Sequence, residues 1–352
     1  MLSTTSLRRT GAAHGTSAMA HRPMQERGFL MSNRQLHDWQ RSVVAESMLV
    51  AEGIRRIVLD LPGCPEAAPG SHLDVLLPLA SGEVVRSYSV VEDGRFPDHI
   101  SLGVRLDPNS SGGSTHMHLL RPGDDLITSQ PVQTFDLTWG LPRYTLLAGG
   151  IGITPLVGMA RRLRALGADY QLIYVGRTRE AMPFVDGLLA DHAERVRVHV
   201  GAEQGRIDVD ALIRELSADT ELYVCGPIEM LMAAKRSWAA DGRRVDRLRF
   251  ETFGSGATRA SVAFRVLVPR LGVDTVVPAD KTLLDVLDSA GAEVISDCLR
   301  GECGLCLINI LDHEQEIDHR DVVLSERQRA DGDRLCACVS RSLGGTLTID
   351  VP

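Results

Sequence analysis

Three thiols fall within nine residues in the stretch CLRGECGLC, at Cys298, Cys303 and Cys306. The spacing C-x4-C-x2-C is that of a plant-type [2Fe–2S] loop, which needs a fourth cysteine from a distant part of the chain. A backbone wrapped round such a centre must take up unusual φ/ψ angles and turn its N–H groups toward the sulfurs. Gly301 and Gly304 allow this. Structural zinc sites favour two short knuckles, and the downstream CAC at 336–338 makes a poor second one. Cys336 and Cys338 lie roughly thirty residues on. On a strand they would point to opposite faces, so spacing leaves the fourth ligand open between them.

The chain has seven cysteines, an odd number, and five of them lie in the last 55 residues, which is not the pattern of a secreted disulfide scaffold. Hydrophobic residues at 44% and charged residues at 24% are those of a globular protein. No stretch approaches the ~20 apolar residues of a membrane helix, so a soluble, cytoplasmic protein without a membrane partner is expected. A net charge of −8 speaks against nucleic-acid binding. From Ser261 onward nine Lys/Arg face sixteen Asp/Glu, a net of −7. The cysteine-bearing end is therefore either a solvated acidic surface or a docking face for a basic partner.

At 352 residues, two or three domains are expected. Residues 1–39 are expected to be a disordered or extended tail, with Met31 a plausible start and no apolar core for a signal peptide. From 40 to 138, runs such as SHLDVLLPL, EVVRSYSVVE and HISLGVRL, punctuated by EDGRFPD and DPNSSGGS, predict an antiparallel β-barrel without a long helix. From 139 to 253 apolar strands (RYTLLAGG, DYQLIYVGR, RVRVHVG, ELYVCG) alternate with helices (TPLVGMARRLRALG, AMPFVDGLLADHA, VDALIREL, IEMLMAAKRSWAADG). That alternation predicts a parallel α/β sheet. A linker at 254–261 leads to an α+β segment at 262–352, with a hairpin, the helix TLLDVLDSAG, the cysteine loop and the strands CLINILD and GGTLTIDVP.

In LLAGGIGITPLVGM, Gly149, Gly150 and Gly152 lie between a strand and a helix that Thr154 is expected to cap and Pro155 to open. Free amides there would suit a pyrophosphate, although the spacing is not G-x-G-x-x-G. Cys225, Gly226 and Pro227 end another strand and open the last helix of the sheet. Both loops should reach the carboxyl edge of the sheet, where α/β ligands bind. Arg177 and Arg179 follow a strand and could grip a 2′-phosphate.

CLRGECGLC, followed by DHRDVVLSERQR and CACVSR, resembles the ferredoxin end of the phthalate dioxygenase reductase family, which includes the reductases of vanillate O-demethylases. The resemblance runs from residue 40 to the end and implies the order FMN barrel, nucleotide domain and β-grasp-like ferredoxin. In that family the last ligand precedes a VSR-like triplet, which implies Cys338 rather than Cys336. GGIGITP and CGPxxM are similar to the family's pyrophosphate and nicotinamide loops, and the stretch at Arg177 implies NADH, with NADPH left open. RSYS matches an R-x-Y-S motif, which implies that Arg86 holds flavin phosphate, Tyr88 flanks the ring and Ser89 meets its reactive nitrogen. Gly112, Gly113, Ser114 and Thr115 resemble the GGS phosphate nest of the FMN-binding members, and LGVR, with Val104, resembles their ring-contacting strand. Pro131–Phe135 departs from the family's P-R-N-x-F. FETF implies that Phe253 covers the ring. His72 and His319 are expected to be structural.

The resemblance implies hydride transfer from NADH to FMN, then single electrons through the cluster to a Rieske non-haem iron oxygenase or to a cytochrome P450, with no catalytic acid–base side chain. A redox sensor and a free-standing flavin reductase are the competing classes. The first lacks a basic surface, and the second has no use for an appended ferredoxin.

Overall fold

The computed structural model describes residues 39–63, 66–79, 82–92, 94, 99–107, 112–253 and 259–351. The expected tail up to residue 38, residues 254–258 of the linker, Ser110 and Ser111 lie outside the described residues.

The described chain starts with a hairpin, β1 (Gln40–Ala51) and β2 (Ile54–Asp60), turning at Glu52-Gly53. Next come β3 (Ser71–Leu79), β4 (Gly82–Ser89), β5 (Ile100–Arg105), the short helix α1 (Gly113–Leu119), β6 (Asp125–Thr128) and β7 (Val132–Gln133). The antiparallel order is β4-β3-β6-β1-β2-β5, with β7 paired to β3. A bridge between Val90 and Leu102 joins the end of β4 to β5 and closes the ring. Ile57, Leu59, Leu73, Val75, Leu77, Leu102 and Val104 pack its interior, the alternate positions that period-2 strands turn to one face.

β8 (Arg143–Gly149), α2 (Ile153–Ala165), β9 (Tyr170–Gly176), α3 (Val185–His192), β10 (Val196–Val200), α4 (Gly201–Gln204), α5 (Val209–Glu215), β11 (Thr220–Gly226), α6 (Ile228–Ala240) and β12 (Leu248–Thr252) form the second layer set. All five strands are parallel, in the order β10-β9-β8-β11-β12. β12 is a fifth strand that the sequence reading did not assign. The reading also started α3 four residues early, because Phe184 at its N-cap takes a left-handed φ of 62°. The chain order reverses between β8 and β11, so the crevice at their carboxyl ends is the ligand position this topology creates.

β13 (Phe264–Val268) and β14 (Val273–Val277) are the expected hairpin. α7 (Leu283–Ser289) starts at a capping box made by Thr282 and Asp285. β15 (Leu307–His313), β16 (Ile317–Asp318), α8 (Glu326–Asp331), β17 (Arg334–Cys336), β18 (Arg341–Ser342) and β19 (Thr346–Asp350) complete the chain. The mixed sheet runs β14-β13-β19-β15-β17, with β13 and β19 parallel. β16 and β18 pair as a separate two-stranded sheet, and all four sheets belong to one compact unit. No helix among the described residues is long and apolar enough to cross a membrane.

Candidate functional site

The cysteine loop leaves regular structure after α7, and its backbone is bent round the sulfurs. The amides of Arg300, Glu302 and Cys303 all donate to the Cys298 sulfur, at 3.5, 3.3 and 3.4 Å. Gly301 sits at φ 74°. A Cβ there would lie 2.6 Å from Val339 and 2.9 Å from the Asp321 Cα, so only glycine fits. The loop is pinned from behind: Val322 donates to the Gly301 carbonyl at 2.9 Å. Asp321 is itself held by the amides of Val323 and Leu324 and lies 3.7 Å from His319.

The thiols stand in pairs. Cys298 is hydrogen-bonded to Cys303, and the Cys306 sulfur is 3.1 Å from that of Cys338. Among the described residues no three His, Cys, Asp or Glu surround a single ion position. A paired donor set fits a two-iron centre, which takes two thiolates per iron. Cys336 and Cys338 are not on opposite faces of one strand, because β17 ends at Cys336 and the chain turns back, with Ser340 donating to the Cys336 carbonyl at 2.9 Å. Both therefore reach Cys306, whose thiol their hydrogen bonds hold down at about 3. They differ in surroundings. The hydrogen bond to Cys306 and burial push both thiols up; at Cys338 the Gly301 amide pulls the other way, whereas at Cys336 the Asp321 carboxylate adds to the rise.

At the crevice between β8 and β11 the two glycine-bearing loops touch backbone to backbone. A Cβ on Gly152 would lie 2.2 Å from the Cys225 carbonyl oxygen, and one on Gly149 would lie 2.5 Å from Pro227. A Cβ on Gly226 would meet Gly149 at 2.8 Å. Gly150 has open space above it. Thr154 does not cap α2. Gly152 is the N-cap, after a 3-10 turn over Gly150–Gly152, and the Thr154 hydroxyl donates back to the Ile151 carbonyl at 3.0 Å. Nor does Pro155 open it: α2 starts at Ile153, and Pro155 is the third residue, still in the first turn, where no N–H is missed. Arg177 is exposed at the end of β9, while Arg179 is tied to Asp186 at 2.7 Å.

On the barrel, Arg86 packs against the start of α1: a Cβ on Gly113 would lie 3.2 Å from its Cγ and 3.5 Å from its Nε. An arginine fork beside the first turn of a helix fits a phosphate. The Ser114 hydroxyl accepts the Asp107 amide at 3.1 Å, bridging the ends of the loop, and Thr115 is in the same first turn. Burial pushes the Tyr88 phenol up to about 12, with Arg86 pulling it back. Val104 points into the barrel core. It is Gly103 beside it whose face meets Thr154 and Ile151, where a Cβ would lie 2.6 Å from the Thr154 methyl. Phe253 packs on the core of the nucleotide domain. His72 is buried on β3, sharing a 3.3 Å hydrogen bond with Thr134.

The residue that sequence reasoning missed is Glu251. It lies on β12 beside Cys225, with its carboxylate 2% exposed. Ser89 Oγ donates to its Oε2 at 3.4 Å, and Arg300 Nη1 of the cysteine loop donates to its Oε1 at 2.9 Å. Burial pushes Glu251 up to about 7, with Arg300 opposing. Three regions meet at this one side chain: the R-x-Y-S strand, the carboxyl edge of the parallel sheet, and the thiol loop.

This combination defines an iron–sulfur oxidoreductase built on a nucleotide-binding sheet. Residues 268–343 match the 2Fe-2S iron-sulfur cluster binding domain. The chain is similar to vanillate O-demethylase oxidoreductase of Pseudomonas sp., 35% identical over 88% of this chain and 97% of the relative. Its fold is similar to phthalate dioxygenase reductase, described as a modular structure for electron transfer from pyridine nucleotides to [2Fe–2S], with a TM-score of 0.72 and 29% identity over 89% of this chain and 98% of that one. It is also similar to part of an intact type IV self-sufficient cytochrome P450 monooxygenase, at 35% identity and a TM-score of 0.62, covering 89% of this chain and 41% of that one. The chain belongs to the phthalate dioxygenase reductase and vanillate O-demethylase reductase family.

Proposed function

We propose that this chain is the reductase component of an oxygenase system, passing electrons from NADH through FMN and a [2Fe–2S] cluster to a Rieske non-haem iron oxygenase. The oxygenase would demethylate or hydroxylate an aromatic acid or a methylated small molecule in the cytoplasm. NADH yields two electrons as hydride and a cluster accepts one at a time, and a bound flavin supplies both kinds of transfer. The observation that carries the reading is the meeting of flavin strand, nucleotide crevice and thiol loop at Glu251.

The residues divide the work. Arg86, with Gly112, Gly113, Ser114 and Thr115, holds the flavin phosphate. Tyr88 and Ser89 face its ring, against the strand carrying Val104, and Phe253 covers it. The Gly149–Gly152 turn with Thr154 and Pro155 holds the pyrophosphate, Arg177 lies toward the adenosine end, and Cys225, Gly226 and Pro227 approach the nicotinamide. Cys298, Cys303, Cys306 and Cys338 hold the cluster. Cys303 is exposed, as are Glu293, Ile295, Asp297 and Leu305 in the sequence around it. Exposed acidic and apolar residues in this segment suit a partner with a basic rim.

A cytochrome P450 acceptor is the second reading, favoured by the match to the self-sufficient monooxygenase. Purified chain given candidate Rieske and P450 oxygenases, with NADH oxidation measured against product, separates the two. Coupled turnover with a Rieske oxygenase supports the first, and coupling only to a P450 supports the second. NADH consumption that stays uncoupled from product with every acceptor defeats both.

A further inference from the structure

We propose that Arg300 and Glu302, the two charged side chains inside the cysteine loop, form a latch that fixes this loop against the last strand of the nucleotide domain and against the barrel. The latch sets where the loop stands relative to the flavin site. The proposal rests on the relay reading above.

The latch is made of side chains that no local pattern joins. Arg300 Nη1 donates to Glu251 Oε1 at 2.9 Å, and its Nη2 donates to Thr134 Oγ1 at 3.1 Å, on a segment 166 residues away. Its Nε lies 3.5 Å from Glu302 Oε2. The other oxygen of Glu302 accepts both the Thr252 amide and the Thr252 hydroxyl, the latter at 2.6 Å. One loop peptide thus grips the neighbouring domains at Thr134, Glu251 and Thr252. Charge-assisted bonds of this kind are directional and lose their partners together when the faces part.

A separate attachment holds the iron–sulfur domain from behind the loop. Val322 is buried within the hydrophobic cluster of α5 and α6, Lys235 Nζ on α6 donates to the Val322 carbonyl at 2.5 Å, and Arg236 lies 3.5 Å from Glu326. That grip uses no bond of the Arg300 side chain, although through the Val322 amide on the Gly301 carbonyl it also holds the middle of the loop. Breaking the latch therefore releases the side-chain contacts with Thr134, Glu251 and Thr252 while the domain stays docked and folded. Arg300 and Glu302 are positioning residues: neither is a thiol ligand, and Arg300 acts on the loop through Glu251 and Thr134.

The test uses the intact holoprotein in anaerobic stopped-flow with NADH, reading flavin bleaching and cluster bleaching as separate phases. For Arg300→Gln the iron and sulfide content and the first phase stay at wild-type values. The second phase slows severalfold or more, because single-electron transfer weakens steeply as its two centres move apart. Thr134→Val slows it less, and Arg300→Lys recovers part of the loss. A second phase at wild-type rate in a fully loaded Arg300→Gln protein overturns the latch. Should Arg300→Gln fail to assemble its cluster, Thr134→Val decides: a slowed second phase supports the latch and an unchanged one overturns it. A wild-type protein lacking either phase overturns the relay reading instead.

Discussion

Cys336 and Cys338 show what a single residue's surroundings decide. Both thiols reach Cys306, yet one faces a loop amide and the other a carboxylate. Cys338→Ser is expected to abolish the iron–sulfur absorption, whereas Cys336→Ser keeps it; iron and sulfide assays on both variants check this. Glu92 makes the second prediction at this scale. Burial and the Glu66 carboxylate push it up to about 7, against the pull of Arg161, and its side chain packs on Gly158 of α2. A carboxyl whose folded value lies above its unfolded one binds more protons when folded, so stability falls as pH rises from about 4.5 to about 7. Glu92→Gln removes that dependence. It is expected to gain about 1–3 kcal/mol over wild type at pH 8, and the gain disappears below about pH 4.5, as urea unfolding at the two values would read. The thiol loop was legible in the sequence because ligand spacing is imposed by the centre itself. Glu251 was not, because its partners Ser89 and Arg300 are 162 and 49 residues away.

At the scale of elements, the crevice depends on two loops lying backbone against backbone. Gly152→Ala puts a methyl 2.2 Å from the Cys225 carbonyl oxygen, and main chain cannot yield as a side-chain tip does. The variant is expected to lose about 1–3 kcal/mol of stability and at least tenfold in NADH affinity. Gly150→Ala, at φ 54° with open space above it, costs only about 1 kcal/mol; thermal melts and NADH titration of the two variants distinguish them. The parallel sheet was readable from its alternation of strand and helix. β12 was missed because Leu248–Thr252 is short and half-exposed, so its apolar content is that of a loop. α1 and α8 were missed as well: α1 is seven residues, five of them weak helix formers, behind a left-handed glycine, and α8 has no buried face. The expected Thr154 cap gave way to a 3-10 turn for which the glycine run carries no separate sequence signature.

For the whole molecule, a docking role for the acidic surplus on the cysteine-bearing segment predicts electrostatic steering toward the acceptor. Raising ionic strength from 0.05 to about 0.5 M, which shrinks the Debye length severalfold, is expected to slow reduction of a protein acceptor about tenfold or more while leaving reduction of small uncharged dyes unchanged. The order of the three regions was legible because each carries its own periodicity and its own motif. Their mutual arrangement was not, since it is made by single side chains such as Arg300 and Lys235 rather than by repeated patterns. The central claim is that electrons enter this chain in pairs and leave it singly through a cluster bound by four of its own cysteines. The most direct measurement is an anaerobic NADH titration of the purified protein, followed by visible absorption and by electron paramagnetic resonance, with iron and acid-labile sulfide assayed on the same sample. Two irons and two sulfides per chain, flavin and cluster bands that both bleach, and a reduced-cluster resonance are the expected result. Flavin bleaching in a protein that carries neither iron nor sulfide would contradict it.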